Sequence, residues 1–245
     1  LTRKYLINNF MKEQLTVVIP CKNEKHNIYE CVSFLAKQKD ITGAKVIIAD
    51  SSDEDDSIWW INKTINEFKY SLNVSSIPGG YPAKARLEGS KLATTPYILF
   101  LDSDIMLFEK DLLYKIFNKM KDKKLATVTF STDPSWNFIF RLFNIFQSLS
   151  IVLGTPFAVG GFQLWETKKY WAVGGYEADQ MFAEDYYLSS RVSRREFYVY
   201  KTNLVHTSPR RFKKKGIKYM FWIMIKSYLN RNNPKFFKHH HNYWS

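Results

Sequence analysis

The first hundred residues alternate short apolar runs with helically spaced segments, and this limits the folds open to the chain. Leu15-Thr-Val-Val-Ile19 is apolar apart from one threonine and ends at Pro20, as a buried strand would. In residues 24–38, Ile28, Val32, Leu35 and Ala36 share one helical face. Lys45-Val-Ile-Ile-Ala49 reads as a second buried strand ending at Asp50, and Ile58, Ile61, Ile65 and Phe68 predict a helix over 54–69. Leu72-Asn-Val-Ser75 predicts a short third strand. Gly79-Gly80 predicts a loop, and Pro82 opens a helix reaching Ala93. Tyr97-Ile-Leu-Phe-Leu101, set off by Pro96, is the clearest strand. This order predicts an α/β fold with a mostly parallel sheet and helices on both faces. Ligands of such sheets bind outside the carboxyl ends of the strands. Those ends carry Pro20–Asn23, Asp50–Asp53 and Asp102–Asp104.

Further along, residues 109–121 predict a helix and Leu125–Phe130 a strand. The texture then changes. Residues 134–157 are rich in Phe, Leu and Ile, and 142–160 contain no charge. Asn144, Gln147, Ser148, Ser150 and Thr155 interrupt that stretch, so the expected element is a buried or interfacial helix rather than a span of ~20 apolar residues. Residues 217–229 predict a second, aromatic-rich helix flanked by Lys and Arg. Cys21 and Cys31 form no CxxC pair and have no His/Cys cluster around them, which predicts two buried free thiols in a reducing compartment. The start carries charge but no continuous apolar stretch of signal-peptide type. The three histidines at 239–241 suggest no assignment.

Charge sharpens the organisation. The formal net charge is +13, yet residues 1–190 hold 22 basic and 22 acidic side chains. Residues 191–245 hold 14 basic residues and one acid, Glu196. A protein basic throughout, as for nucleic-acid binding, is therefore a poor description. The expected organisation is a neutral domain over 11–212, a basic aromatic tail over 213–245 that would suit an anionic membrane surface, and an upstream extension over 1–10. At 45% hydrophobic and 17% aromatic, disorder and a disulfide-stapled miniprotein are excluded.

Several residues are candidates for chemistry. Asp102-Ser103-Asp104 follows the strongest strand, and two carboxylates one residue apart suit a hard divalent cation such as Mg2+ or Mn2+. Asp50 could accept from a base or ribose, or with Ser52 cap the helix that follows. Lys84 and Arg86 open a helix after Gly-Gly and suit phosphate, or are simply solvated. Glu184-Asp185 are either helix-start charges or a general base. His206 precedes Arg210 and Arg211, a segment suited to phosphate or metal contact.

Taken together, Val17-Val-Ile-Pro-Cys-Lys-Asn-Glu24, the acidic strand end at 50–55, the stretch Gly80-Tyr-Pro-Ala-Lys-Ala-Arg86, Phe100-Leu-Asp-Ser-Asp104, Gly174-Gly-Tyr-Glu177 and Glu184-Asp185 resemble the family 2 glycosyltransferases of GT-A fold. The resemblance covers roughly residues 15–212. It implies an inverting, metal-assisted transfer from a nucleotide-diphosphate sugar to a lipid-linked or saccharide acceptor. By the same resemblance, Pro20, Asn23, Glu24, Asp50, Ser51, Lys84, Arg86, Asp102 and Ser103 would border the donor. Asp102, Asp104 and His206 would hold the metal, Asp185 with Glu184 would serve as base, and Arg210 and Arg211 would meet phosphate or acceptor. Two departures stand out: Asp50-Ser-Ser-Asp53 where relatives often read Asp-Asp-Gly-Ser, and Ala85-Arg86-Leu87 where they read Ala-Arg-Asn. The Gln-x-x-Arg-Trp motif and the long spans of processive synthases are missing, which implies transfer of a single sugar; the expected location is cytoplasmic, peripheral at the inner face of the cell membrane. Other classes weighed are a non-catalytic membrane- or nucleic-acid-binding protein on this fold, and a sugar nucleotidyltransferase. The latter normally has a glycine-rich loop after the first strand, whereas here no glycine precedes Gly43.

Overall fold

The structure, a computed structural model, describes residues 10–239 and 241. Residues 1–9, most of the expected upstream extension, and His240 and 242–245 of the expected tail lie outside them. In chain order the elements begin with α1 (Phe10–Gln14), β1 (Leu15–Cys21), α2 (His26–Ala36), β2 (Lys45–Asp50) and α3 (Asp55–Phe68). There follow β3 (Asn73–Pro78), α4 (Pro82–Lys91), β4 (Tyr97–Leu101), β5 (Met106–Leu107), α5 (Leu112–Phe117), a 3-10 turn at Met120–Asp122 and β6 (Leu125–Val128). The remainder is α6 (Asn137–Val152), β7 (Phe162–Glu166), α7 (Thr167–Ala172), α8 (Glu184–Ser189), β8 (Phe197–Tyr200), β9 (Val205–His206), α9 (Arg210–Lys215), α10 (Ile217–Leu229) and α11 (Pro234–Lys238).

Seven strands form one sheet in the order β3-β2-β1-β4-β7-β6-β8. The pairs β3–β2, β2–β1, β1–β4 and β6–β8 are parallel, and β7 runs against both its neighbours. Because successive side chains of a strand point to opposite faces, a strand covered on both sides must be apolar throughout. In β1, Val17 and Ile19 join one core while Val18 joins the other; in β4, Leu99 and Leu101 oppose Ile98 and Phe100. The first core is closed by Ile28, Val32 and Leu35 of α2 and Ile61 of α3. The second is closed by Trp165, Tyr170, Tyr176 and Leu188. Helix α4 lies close against the sheet because Gly89 has no side chain; a Cβ there would strike Val18.

The chain winds from β1 outward to β3, then returns to place β4 on the other side of β1. The strand order therefore reverses between β1 and β4, and a crevice opens at their carboxyl ends. Cys21 and Cys31 are both buried free thiols, as expected, and burial pushes Cys21 up to about 12, with Asp50 and Glu24 adding. The expected helix over 109–121 is shorter and broken: residues 109–111 are a loop, the helix proper is Leu112–Phe117, and a 3-10 turn takes the end.

The basic C-terminal segment is helical and packs back onto the domain. Phe237 of α11 is wholly buried against Tyr187, and its carbonyl accepts the backbone N–H groups of Met181 and Phe182. Ile223 and Ser227 of α10 are buried as well.

Candidate active site

The loops after β1 and β2 are laced together. Asn23 donates from Nδ2 to Asp53 at 2.6 Å, and the Asp53 N–H donates back to Asn23 Oδ1 at 3.1 Å. Asp50 Oδ1 accepts the Ser52 N–H at 2.8 Å, a local turn rather than a helix cap. Helix α3 takes no side-chain cap, and its N-cap position is Glu54. Ser51 Oγ bridges to the third loop, donating to the Gly80 carbonyl at 2.8 Å and accepting the Gly80 N–H. Asn23 holds positive φ, kept there by its bonds to Ser52 and Asp53, and Lys25 holds positive φ as well, its ammonium 3.3 Å from Glu54.

At the mouth of the crevice lies a cavity of about 1390 Å³. Pro20, Glu24, Ser51, Lys84 and Arg86 line it, as do Asp102, Ser103 and Asp104. Glu184, Asp185, Arg210 and Arg211 face the same space. Asn23 and Asp50 are not part of its lining, and His206 borders only an adjoining cleft that Asp104 and Arg210 share. The structure thus gathers most of the expected residues, from segments as far apart as 20 and 211, at one place.

Arg86 is the centre of this arrangement. It is 3% exposed and forks between two carboxylates, Glu184 Oε1 and Asp102 Oδ1, each at 2.6 Å. Burial opposes its charge, but Asp102, Tyr176 and Glu184 outweigh that, so its pKa is held above the ordinary value. The Tyr176 ring lies 5.5 Å from the guanidinium. Arg86 therefore does not stand in solvent offering itself to phosphate; it clamps the end of β4 to the start of α8. Lys84, two residues earlier, is exposed and lines the cavity.

The adjacent acids differ in setting. Glu184 is buried on Arg86, and burial raises its pKa against the pull of that cation. Asp185 is half-buried; its Oδ2 accepts the Gly160 N–H at 2.7 Å and its Oδ1 accepts the Tyr186 N–H at 2.7 Å. Two lone-pair directions on Asp185 remain for a ligand. Ala183, just before the pair, is left-handed at φ 43° where the helix begins, and the helix then sets the two adjacent side chains about 100° apart, Glu184 toward Arg86 and Asp185 toward Gly160. Gly160 has no residue-sized room: a Cβ would collide with the Arg86 guanidinium. Gly160-Gly161 and the Gln163–Tyr176 pair behind them (3.0 Å) escaped the sequence reading, although two glycines before an apolar strand are a legible sign of close approach.

The carboxylates suit a divalent cation. Asp104 is crowded: burial, then Asp102 and Glu24, push it up to about 7. Arg210 and Arg211 offset this only in part, and crowded carboxylate oxygens are an environment that a hard cation relieves. Among the described residues no three His, Cys, Asp or Glu side chains are grouped to hold an ion. Mg2+ and Mn2+ are commonly held by one or two carboxylates with substrate phosphates supplying the rest, so Asp102 and Asp104 fit that mode. The expected third ligand, His206, is not gathered with them; its ring packs edge-on against Phe108 at 4.8 Å.

Residues 16–174 match the family model described as Glycosyl transferase family 2. No curated protein matches the chain. Among solved structures, a mannosyltransferase from Pyrobaculum calidifontis, PcManGT in complex with GDP-Man and Mn2+, is similar at TM-score 0.65 and 16% identity, over 88% of this chain and 64% of that one. TarS from S. aureus is similar at TM-score 0.60 and 19% identity, over 92% of this chain and 41% of that one. Its 1–349 form in complex with UDP-GlcNAc matches at TM-score 0.60 and 19% identity, over 80% and 58%. The chain thus spans less than two thirds of each of these structures.

Proposed function

The chain belongs to glycosyl transferase family 2, and on that premise we propose that it moves one sugar from a nucleoside-diphosphate sugar to an acceptor hydroxyl, with inversion at the anomeric carbon. The observation that carries this reading is the convergence of Asp102, Asp104 and Asp185 on one cavity at the switch point of the sheet. The GDP-Man and UDP-GlcNAc held by the neighbouring structures support a donor of that class.

In the proposed reaction Asp185 takes the proton of the acceptor hydroxyl as its oxygen attacks the anomeric carbon. The bond from that carbon to the diphosphate breaks on the opposite side, and the nucleoside diphosphate departs. Lys84 and the rim of α4 face the phosphates. Arg86 keeps Asp102 oriented toward the donor, and Glu184 acts through Arg86 rather than as a base. Asp102 and Asp104 would hold Mg2+ or Mn2+, which when bound neutralises charge on the leaving diphosphate.

A panel of UDP- and GDP-sugars with Mg2+ or Mn2+ tests this. At a hundredfold excess over Kd the true donor should raise Tm by about 5–10 °C. Nucleotide release should be seen with the parent protein and lost with Asp102→Ala. A panel in which no nucleotide sugar shifts Tm with either ion would overturn the reading.

We further propose a peripheral seat on an anionic membrane. Phe138, Ile145 and Val152 of α6 and Trp222 and Leu229 of α10 are exposed, beside Arg141, Lys218 and Lys226. No helix among the described residues is long and apolar enough to cross a membrane. Sedimentation with phosphatidylglycerol vesicles should capture the protein at low salt and release it as salt rises. Trp222→Ser/Leu229→Ser should weaken capture about tenfold. Equal capture by neutral vesicles at every salt concentration would refute the charge contribution, and no capture would refute the seat.

A further inference from the structure

The cavity is larger than one donor needs, and part of its lining has a different chemistry. Ligand pockets run roughly 300–1,000 Å³, against about 1390 Å³ here. An apolar part of the lining comes from α6 and α10. From α6 it takes Phe143, Phe146 and Leu149, with Leu153 just past the helix end; from α10, Met224 and Tyr228. Ring contacts join the two helices, Phe146 lying 6.1 Å from Phe221. Phe146, Leu149 and Leu153 are 44%, 50% and 70% exposed, so this wall is apolar yet uncovered among the described residues.

Between the apolar wall and the acids stands α9, Arg210-Arg-Phe-Lys-Lys-Lys215, with five cations and no acid. It adjoins the carboxylate end, since Arg210 pairs with Glu24 at 2.5 Å. It leads through Gly216 directly into α10. Lys214 is exposed on the cavity wall. One continuous space therefore offers, in turn, a candidate base, a cationic strip and a hydrocarbon-like trough. That sequence of chemistries matches one class of molecule.

Resting on the glycosyl-transfer reading, we propose that the acceptor is an amphiphile. Its hydrocarbon chain lies along α6 and α10, its phosphate meets α9, and its hydroxyl reaches Asp185. The charge of α9 selects an anionic headgroup, and the exposed α6 side chains select the chain. A saccharide acceptor would leave this wall in water, because sugar hydroxyls cannot be satisfied by Phe and Leu.

The probes are inorganic phosphate and hexyl, octyl and decyl phosphate, titrated calorimetrically below their micelle concentrations without any donor. Affinity should rise two- to fourfold per added methylene. Geranyl phosphate in a parallel arm separates an isoprenoid source of the chain from a straight acyl source. Leu149→Asp/Leu153→Asp should weaken decyl phosphate at least tenfold and leave inorganic phosphate unchanged. Lys214→Glu should abolish the preference for decyl phosphate over decyl maltoside. Affinity independent of chain length in the parent protein overturns the proposal, whatever the variants do. Because no donor is present, such a result leaves the nucleotide-sugar shifts intact. Normal chain-length dependence with no donor response would instead overturn the transfer reading.

Discussion

Turnover of Asp185→Asn is expected to fall by about 10²–10⁴, with donor affinity within twofold of the parent. Asn keeps the shape of Asp but cannot take a proton from the acceptor. Donor binding should survive because the proposed donor site lies toward β1 and β4, whereas Asp185 is held by the Gly160 and Tyr186 N–H groups. The amide can accept only one of those two N–H groups through its single oxygen, so a stability loss of about 1 kcal/mol is expected alongside. Single-turnover rates at saturating donor, with donor affinity from calorimetry, separate the two effects. Unchanged turnover would remove Asp185 from the chemistry.

Replacing Arg86 with Met should destabilise the fold by about 3–5 kcal/mol, because it strands Glu184, and one oxygen of Asp102, without their cation. The urea midpoint should fall accordingly. Adding Glu184→Gln should restore part of the loss, since a buried amide needs no counter-charge. The deficit should also depend on pH in a definite direction. Burial already holds the Glu184 pKa above its ordinary value in the folded state. Without Arg86 it rises further, so the folded state binds the proton that the unfolded state has released. Stability of the variant then falls as pH rises above the ordinary Glu value. The gap between variant and parent should be wider at pH 8 than at pH 5. An unchanged urea midpoint in Arg86→Met would show that the fork carries no stability.

The sheet was legible where burial forces apolar continuity. Residues 97–101 and the helix 217–229 have the bounds their sequence predicts. At the sheet edge that signal fades. Strand β3 extends through Ser75, Ser76 and Pro78, mostly exposed residues whose side chains carry no apolar period. The two-residue strands β5 and β9 are too short to have a period at all, and they set where His206 lies. The rim acids were legible because strand ends are. The division of labour between Glu184 and Asp185 was not, since it depends on Arg86 arriving from 98 residues away. Adjacent residues on a helix start look alike until something buried claims one of them.

Strand β7 has a consequence for how such a site can diverge. Because it runs against β4, with Phe162 beside Leu101, its beginning rather than its end faces the rim. Everything between β6 and β7, including α6, is therefore a single excursion that leaves and re-enters the sheet at the same seam. Such an excursion can change in length at exposed points at small cost, about 0.6 kcal/mol for each doubling of a flexible loop, provided the contacts that tie it down beyond its feet are kept, Phe140 on Phe212 and Phe146 on Phe221. The strands that face the nucleotide end would not feel the change. Grafting residues 131–159 between related chains is thus a way to swap one half of the recognition while inheriting the other unaltered.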